Sequence, residues 1–200
     1  MPLLIYLFGL PASGKSHAGQ LLAKYFGFQF IDGNDCLPVA RQVALNPVRG
    51  STPDRCFNTI IKKFAAQIAI NLTAPTPRDI VVSHRSFKSY HREIFVQRFP
   101  TASLWHVTAS DAVRAERLSA RKLLNTGSKA ASAGYYQDCT DSGFELPLHP
   151  CETLLNDGRD DTLLIERMRV LLTNLRRKAV DARTQLTCGS VLTFSGIDRQ

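Results

Sequence analysis

No apolar run in the chain approaches the roughly 18 residues that a membrane span requires, which argues against a spanning protein. Cysteine is sparse and irregular. Cys36, Cys56, Cys139, Cys151 and Cys188 are odd in number, scattered, and form no C-x-x-C pair. That usage argues against a zinc site and a disulfide framework, and for reduced thiols in the cytoplasm. The histidines show no metal-ligand spacing, and no internal repeat is visible. Although the net charge is +8, no stretch holds five or six consecutive basic residues. The pattern therefore argues against nucleic acid as a partner more than the total argues for it.

What is present fits one globular domain. Two hundred residues, 44% of them apolar, suffice to bury a real core. The N-terminal apolar run Leu3-Leu4-Ile5-Tyr6-Leu7-Phe8 is short and has no basic leader or cleavage signal. It is expected to be a core strand rather than a signal peptide.

That strand leads into Gly9-Leu10-Pro11-Ala12-Ser13-Gly14-Lys15-Ser16, which has the form G-x-x-x-x-G-K-S. In such a loop the glycines let successive N–H groups turn inward, where they cradle phosphate oxygens. Lys15 is expected to reach the β- and γ-phosphates of a nucleotide, and Ser16 to place its hydroxyl on Mg²⁺. Ala18, Leu21, Leu22 and Tyr25 fall on one face of a following helix, whose N-terminus adds a favourable dipole beneath an anion. The expected nucleotide-binding set is thus Gly9 to Ser16 together with His17, which opens that helix. An ordinary glycine-rich turn would not need both the apolar strand before it and the amphipathic helix after it.

A second strand over 27–31 ends in Asp32-Gly33-Asn34-Asp35. A carboxylate at the carboxyl end of a strand beside the phosphate loop lies where open α/β sheets bind ligands. Asp32 suits the metal or a substrate proton, although these residue types also make plain turns. Residues 36–52 read as a short helix and a loop. Pro53-Asp54-Arg55 opens a helix with an apolar stripe at Phe57, Ile61, Phe64, Ile68 and Leu72. Residues 78–83 form a third strand, with Ser83 and Arg85 at the ligand edge. A helix over 88–99 and a fourth strand over 102–107 follow.

Arg114, Arg117 and Arg121 share one face of a helix over 110–124. Like charges so placed cost a few tenths of a kcal/mol per pair, about the size an anionic partner such as ATP would offset. A solvated basic face remains the alternative. Residues 125–134 are small and polar and suit a segment that closes over a nucleotide. A fifth strand over 151–156 and an amphipathic helix over 160–178 complete the chain, with weak order expected from Thr184. Strand and helix alternate about five times, which predicts an α/β three-layer sandwich with a parallel sheet and helices on both faces.

The pattern resembles the small P-loop kinases related to gluconate, shikimate and adenylylsulfate kinases, over roughly residues 3–175. The resemblance is carried by Gly9 to Ser16, by Phe30 to Gly33 with Pro38 beyond, and by Asp54-Arg55. Arg117-Leu118-Ser119-Ala120-Arg121-Lys122, a loose Ser83…Tyr90-x-Arg92 pattern and Phe144-Glu145-Leu146-Pro147 add to it. It implies a kinase domain over 1–180 with a lid at about 122–147, and a tail over 181–200. It implies transfer of the γ-phosphate of ATP, with Mg²⁺, to a hydroxyl of a small acidic metabolite. Lys15, Asp32, Asp35, Arg117 and Arg121 are then the catalytic candidates, and Ser16 and Asp32 the metal ligands. Asn34, Arg55, Ser83 and Arg85 would face the substrate, a guanidinium suiting a carboxylate better than an ammonium does.

The families usually carry Asp-x-Asp after the second strand, and here the second place is Asn34. An amide takes no proton, so Asp35 or Asp32 would have to fill that role. A kinase of a larger acceptor, and a nucleotide-binding regulatory module, are the alternatives. No membrane partner is expected, and a homodimer stays open.

Overall fold

The computed structural model describes residues 2–33, 35–36, 54–86, 88–125, 143–158 and 160–189. The helix and loop expected over 36–52 therefore lie outside the described residues from 37 onward, as do Asn34 and the centre of the expected lid. In order the elements are β1 (Leu4–Phe8), α1 (Lys15–Phe26), β2 (Gln29–Asp32), α2 (Asp54–Leu72), β3 (Ile80–Ser83), α3 (Ser89–Arg98), β4 (Ser103–Thr108), α4 (Asp111–Asn125), β5 (Glu152–Leu155) and α5 (Asp161–Gly189). The strands pair in the order β2-β3-β1-β4-β5, every pair parallel. Parallel neighbours require long crossovers, and the helices supply them.

Because β1 lies in the middle, its alternate side chains must be apolar on both faces. Leu4, Tyr6 and Phe8 pack with Phe57, Ile60, Ile61, Phe64 and Ile68 of α2 and Phe95 of α3. Ile5 and Leu7 point the other way, onto Ala18, Leu21 and Leu22 of α1 and Leu164, Met168 and Leu172 of α5, with Trp105 beneath. The three-layer α/β arrangement follows from that alternation.

Helix α1 starts after Gly14 and stops at Gly27, both in the left-handed region at φ 92° and 76°. Within it Gly19 lies against β2, where an added Cβ would come within 2.3 Å of the Phe30 ring. Two residues expected in apolar stripes are exposed instead. Tyr25 and Leu72 sit in the last turns of α1 and α2, where the helix has run past the sheet. Ile60, outside the expected stripe, is fully buried in their place. Helix α5 also continues to Gly189, beyond the Lys178 where its stripe fades. Residues such as Ala179, Ala182 and Gln185 have good helix propensity and need no core face to propagate a helix already nucleated. Among the described residues no helix is long and apolar enough to cross a membrane.

Candidate active site

The strand register brings the carboxyl ends of four strands level. Asp32 lies opposite Ser83, Leu7 opposite Ser83, and Phe8 opposite His106. The ladder runs one residue past the strands. Gly33 N–H donates to the Ser83 carbonyl at 2.7 Å, His84 N–H to Leu7 at 3.1 Å, and Asn156 N–H to Thr108 at 2.8 Å. The segments that leave the sheet at Gly9, Gly33, His84 and Asn156 therefore emerge side by side.

The glycine-rich loop is set by two close approaches. At Gly9 (φ 147°) an added Cβ would meet the Val107 carbonyl oxygen at 2.3 Å. At Gly14 it would lie 2.0 Å from Asn156 Nδ2. Between them Ala12 takes φ 60°, left-handed for a residue with a side chain. Lys15 Nζ folds back over the loop, donating to the carbonyls of Gly9 at 3.0 Å and Leu10 at 2.7 Å. Ser16 Oγ donates to Asp32 Oδ2 at 2.6 Å. Inside the loop the Ser13 hydroxyl is fully buried, with no hydrogen-bond partner among the described residues.

On its outer side the loop is gripped by three side chains that sequence reading did not assign to this task. Arg114 Nε donates to the Pro11 carbonyl at 3.1 Å, Arg117 Nη1 to Ala12 at 3.3 Å, and Asn156 Nδ2 to Ser13 at 3.1 Å. Arg117 Nη2 also donates to Asn156 Oδ1 at 3.1 Å, and Arg114 Nη1 pairs with Asp111 at 3.1 Å. Arg114 is only 5% exposed. Of the basic face expected to meet an anion such as ATP, with a solvated face as the alternative, Arg114 therefore takes neither place: its guanidinium is turned inward to a backbone carbonyl. The one available signal for Asn156 was its position, at the carboxyl end of the fifth strand.

Across the sheet edge lies a second polar cluster. The Tyr6 hydroxyl bonds to Ser86 Oγ, which also lies 3.4 Å from His84 Nδ1. Burial, with smaller electrostatic contributions from Arg85, His91 and Lys15, lowers the His84 pKa to about 3, so the ring is neutral. Arg92, 2% exposed, donates to the carbonyls of Ser86 (2.7 Å), Glu145 (2.6 Å) and Leu146 (3.0 Å). Its guanidinium also covers the rings of Phe8 and Phe144. Glu145 accepts from Ser89 Oγ at 2.6 Å and Ser89 N–H at 2.7 Å, and from Lys88 at 3.0 Å. Those hydrogen bonds, the Ser89 hydroxyl first, hold its pKa down to about 2. Glu145 so acts as a remote cap for α3. Of the span expected as a lid, residues 122–125 are the end of α4 and 144–146 are tied to α3.

Several expected site residues meet other fates. His17 Nε2 is 2.6 Å from Asp161 at the start of α5, so its ring faces away from the loop and only its backbone remains for a phosphate. Ser83 is 2% exposed, which closes its side chain to a ligand. The chain does turn after Asp32, through Asp35 N–H to Asp32 carbonyl at 3.1 Å, and the Asp35 side chain is exposed. The glycine at 33 is required by close packing rather than by its backbone angles. It takes no positive φ, but an added Cβ would come within 2.7 Å of the His84 ring. Arg85 follows His84 at the same edge and is half-buried. Arg55 and Arg121 lie on α2 and α4, and their side chains are outside the described residues.

A parallel sheet of this order, with a G-x-x-x-x-G-K-S loop between its central strand and first helix, is the fold of the small P-loop kinases. No protein-family profile matches the chain. In sequence it is 26% identical over 113 residues to the shikimate kinase of a Nostoc species, aligning 55% of this chain with 62% of that protein. The chain thus spans less than two thirds of the curated relatives it matches. In structure it is similar to a sugar kinase from a Janibacter species, with a TM-score of 0.62, 16% identity, and 86% and 95% of the two chains covered. It is likewise similar to a gluconokinase from Sinorhizobium meliloti, with a TM-score of 0.58, 24% identity, and 92% and 97% covered.

Proposed function

We propose that the protein is an ATP-dependent phosphotransferase that moves the γ-phosphate to a hydroxyl of a small acidic metabolite, a gluconate-like sugar acid among the first to test. The observation that carries this reading is the meeting of Ser16 and Asp32 at 2.6 Å under the phosphate loop. A hydroxyl and a carboxylate are hard oxygen donors that suit magnesium, which keeps water and phosphate oxygens in the rest of its shell. Among the described residues no group of three or more His, Cys, Asp or Glu side chains could hold a metal alone, so phosphate oxygens would have to complete such a shell.

ATP supplies the phosphoryl group, and magnesium neutralises its charge when bound. Lys15 exchanges the carbonyls of Gly9 and Leu10 for the β- and γ-phosphates, lowering the charge that builds on the transferring group. The loop N–H groups hold the polyphosphate, with Ser16 and Asp32 on the metal side. Asp35, on the turn beyond β2, takes the acceptor's hydroxyl proton as the new O–P bond forms and the bond to ADP breaks. Arg117 and Arg121 lie on the helix that leads into the lid, where they would spread over the transferring group. Arg55 and Arg85 are the candidates to receive the acceptor's carboxylate.

A screen for ADP release over sugar acids, shikimate, adenylylsulfate and nucleosides tests the proposal. Release that requires magnesium and one small acidic acceptor supports it. Tight ATP binding without acceptor-dependent turnover would instead favour a nucleotide-binding regulatory module.

A further inference from the structure

Three consecutive carbonyls of the phosphate loop, at Pro11, Ala12 and Ser13, are each held by a side chain from α4 or from the end of β5. Carbonyls do not bind anions. Each peptide that aims its oxygen outward at a donor carries its N–H on the opposite side. Behind the Ala12 carbonyl that N–H, of Ser13, already donates to the Leu10 carbonyl at 3.3 Å, so the preset inward donors are the N–H groups of Ala12 and Gly14, behind the carbonyls held by Arg114 and Asn156. Two of the three holders are themselves buried, Arg114 at 5% and Asn156 at 3% exposure, and buried polar groups make specific partners or cost stability. Asn156 is also fitted to its place by the missing side chain at position 14. It acts in both senses, donating to Ser13 and accepting from Arg117.

We propose that Arg114 and Asn156 are positioning residues, which set the phosphate loop in its anion-receiving form before a polyphosphate arrives. The proposal rests on the nucleotide reading of the loop. It assigns to Arg114 a role distinct from that of Arg117, whose guanidinium is partly accessible and has a second function open to it. A preset loop spares the ligand the cost of ordering the backbone, so the benefit appears as affinity for phosphates.

The test is calorimetric titration of the full chain with ATP and with inorganic triphosphate, beside thermal unfolding of the free protein. Asn156→Leu and Asn156→Ser remove the amide's two contacts, and Arg114→Met removes the Pro11 donor with most of the side-chain volume kept. Each folded variant is expected to bind both ligands about tenfold or more weakly, a scale of about 1.4 kcal/mol. Arg114→Lys keeps a cationic donor and should recover most of what Arg114→Met loses. Variants with lowered unfolding midpoints that bind triphosphate as the parent does would overturn the proposal, because the contacts would then be structural only. Equal losses in Arg114→Lys and Arg114→Met would overturn the donor role of Arg114. Failure of the parent chain to bind either ligand would instead overturn the nucleotide reading itself.

Discussion

Ser16 and Asp32 meet at 2.6 Å although they lie sixteen positions apart, one on the first turn of α1 and the other at the last position of β2. The contact ties the helix beneath the phosphate loop to a neighbouring strand end. Asp32→Asn should therefore weaken nucleotide binding and the magnesium requirement together, because an amide is a poorer ligand for a hard cation. Titration with ATP at varied magnesium checks this. An unchanged magnesium dependence would remove Asp32 from the metal. Lys15→Ala should leave the fold intact and remove most phosphoryl transfer.

The turn after β2 offers a sharper test. If Asp35 accepts the acceptor's proton, Asp35→Asn should lower kcat on the order of a hundredfold with ATP affinity little changed. Steady-state kinetics with the acceptor found by the screen would show it. A silent Asp35→Asn, together with a faster Asn34→Asp, would mean that the base of a weakened kinase has been lost.

His84 predicts a pH dependence of stability. Its folded pKa is about 3 against an ordinary value of 6.5, so between those pH values the unfolded chain binds a proton that the folded one does not. Folding stability should then fall as pH drops from 6.5 toward 3. In His84→Gln that part of the acid loss disappears, and the unfolding midpoint plotted against pH becomes shallower over the same window. Parallel curves for the two proteins would contradict the assignment.

Gly19 tests packing away from the chemistry. Alanine would gain up to about 1 kcal/mol in helix propensity. Its Cβ, however, would press on the Phe30 ring at 2.3 Å, and overpacking typically costs about 1–3 kcal/mol. The clash should win, lowering the unfolding midpoint, and Phe30→Leu should relieve it in the double variant.

The strands and most helices were legible because the central strands are apolar on both faces and α1, α2 and the first turns of α5 carry apolar stripes. The phosphate loop was legible because local backbone demands fix its glycines. Arg114 and Asn156 were not. They act on backbone carbonyls more than a hundred positions away, and a carbonyl leaves no residue-type signature to pair with. The pairing of the His17 ring with Asp161 was not legible for a related reason, since only the folded chain brings the two together. The extension of α5 past residue 178 escaped because propensity, rather than an apolar stripe, carries its last turns.

The grip of Asn156 on Ser13 spans 143 positions of chain. The loop is synthesised well before Asn156, its last holder. A nascent chain that already displays the whole G-x-x-x-x-G-K-S motif would still lack the groups that fix it, and so would that segment transplanted into another protein. Ligand competence is in this sense not portable with the motif. On the positioning role proposed for Arg114 and Asn156, full affinity would follow only once translation has passed the fifth strand.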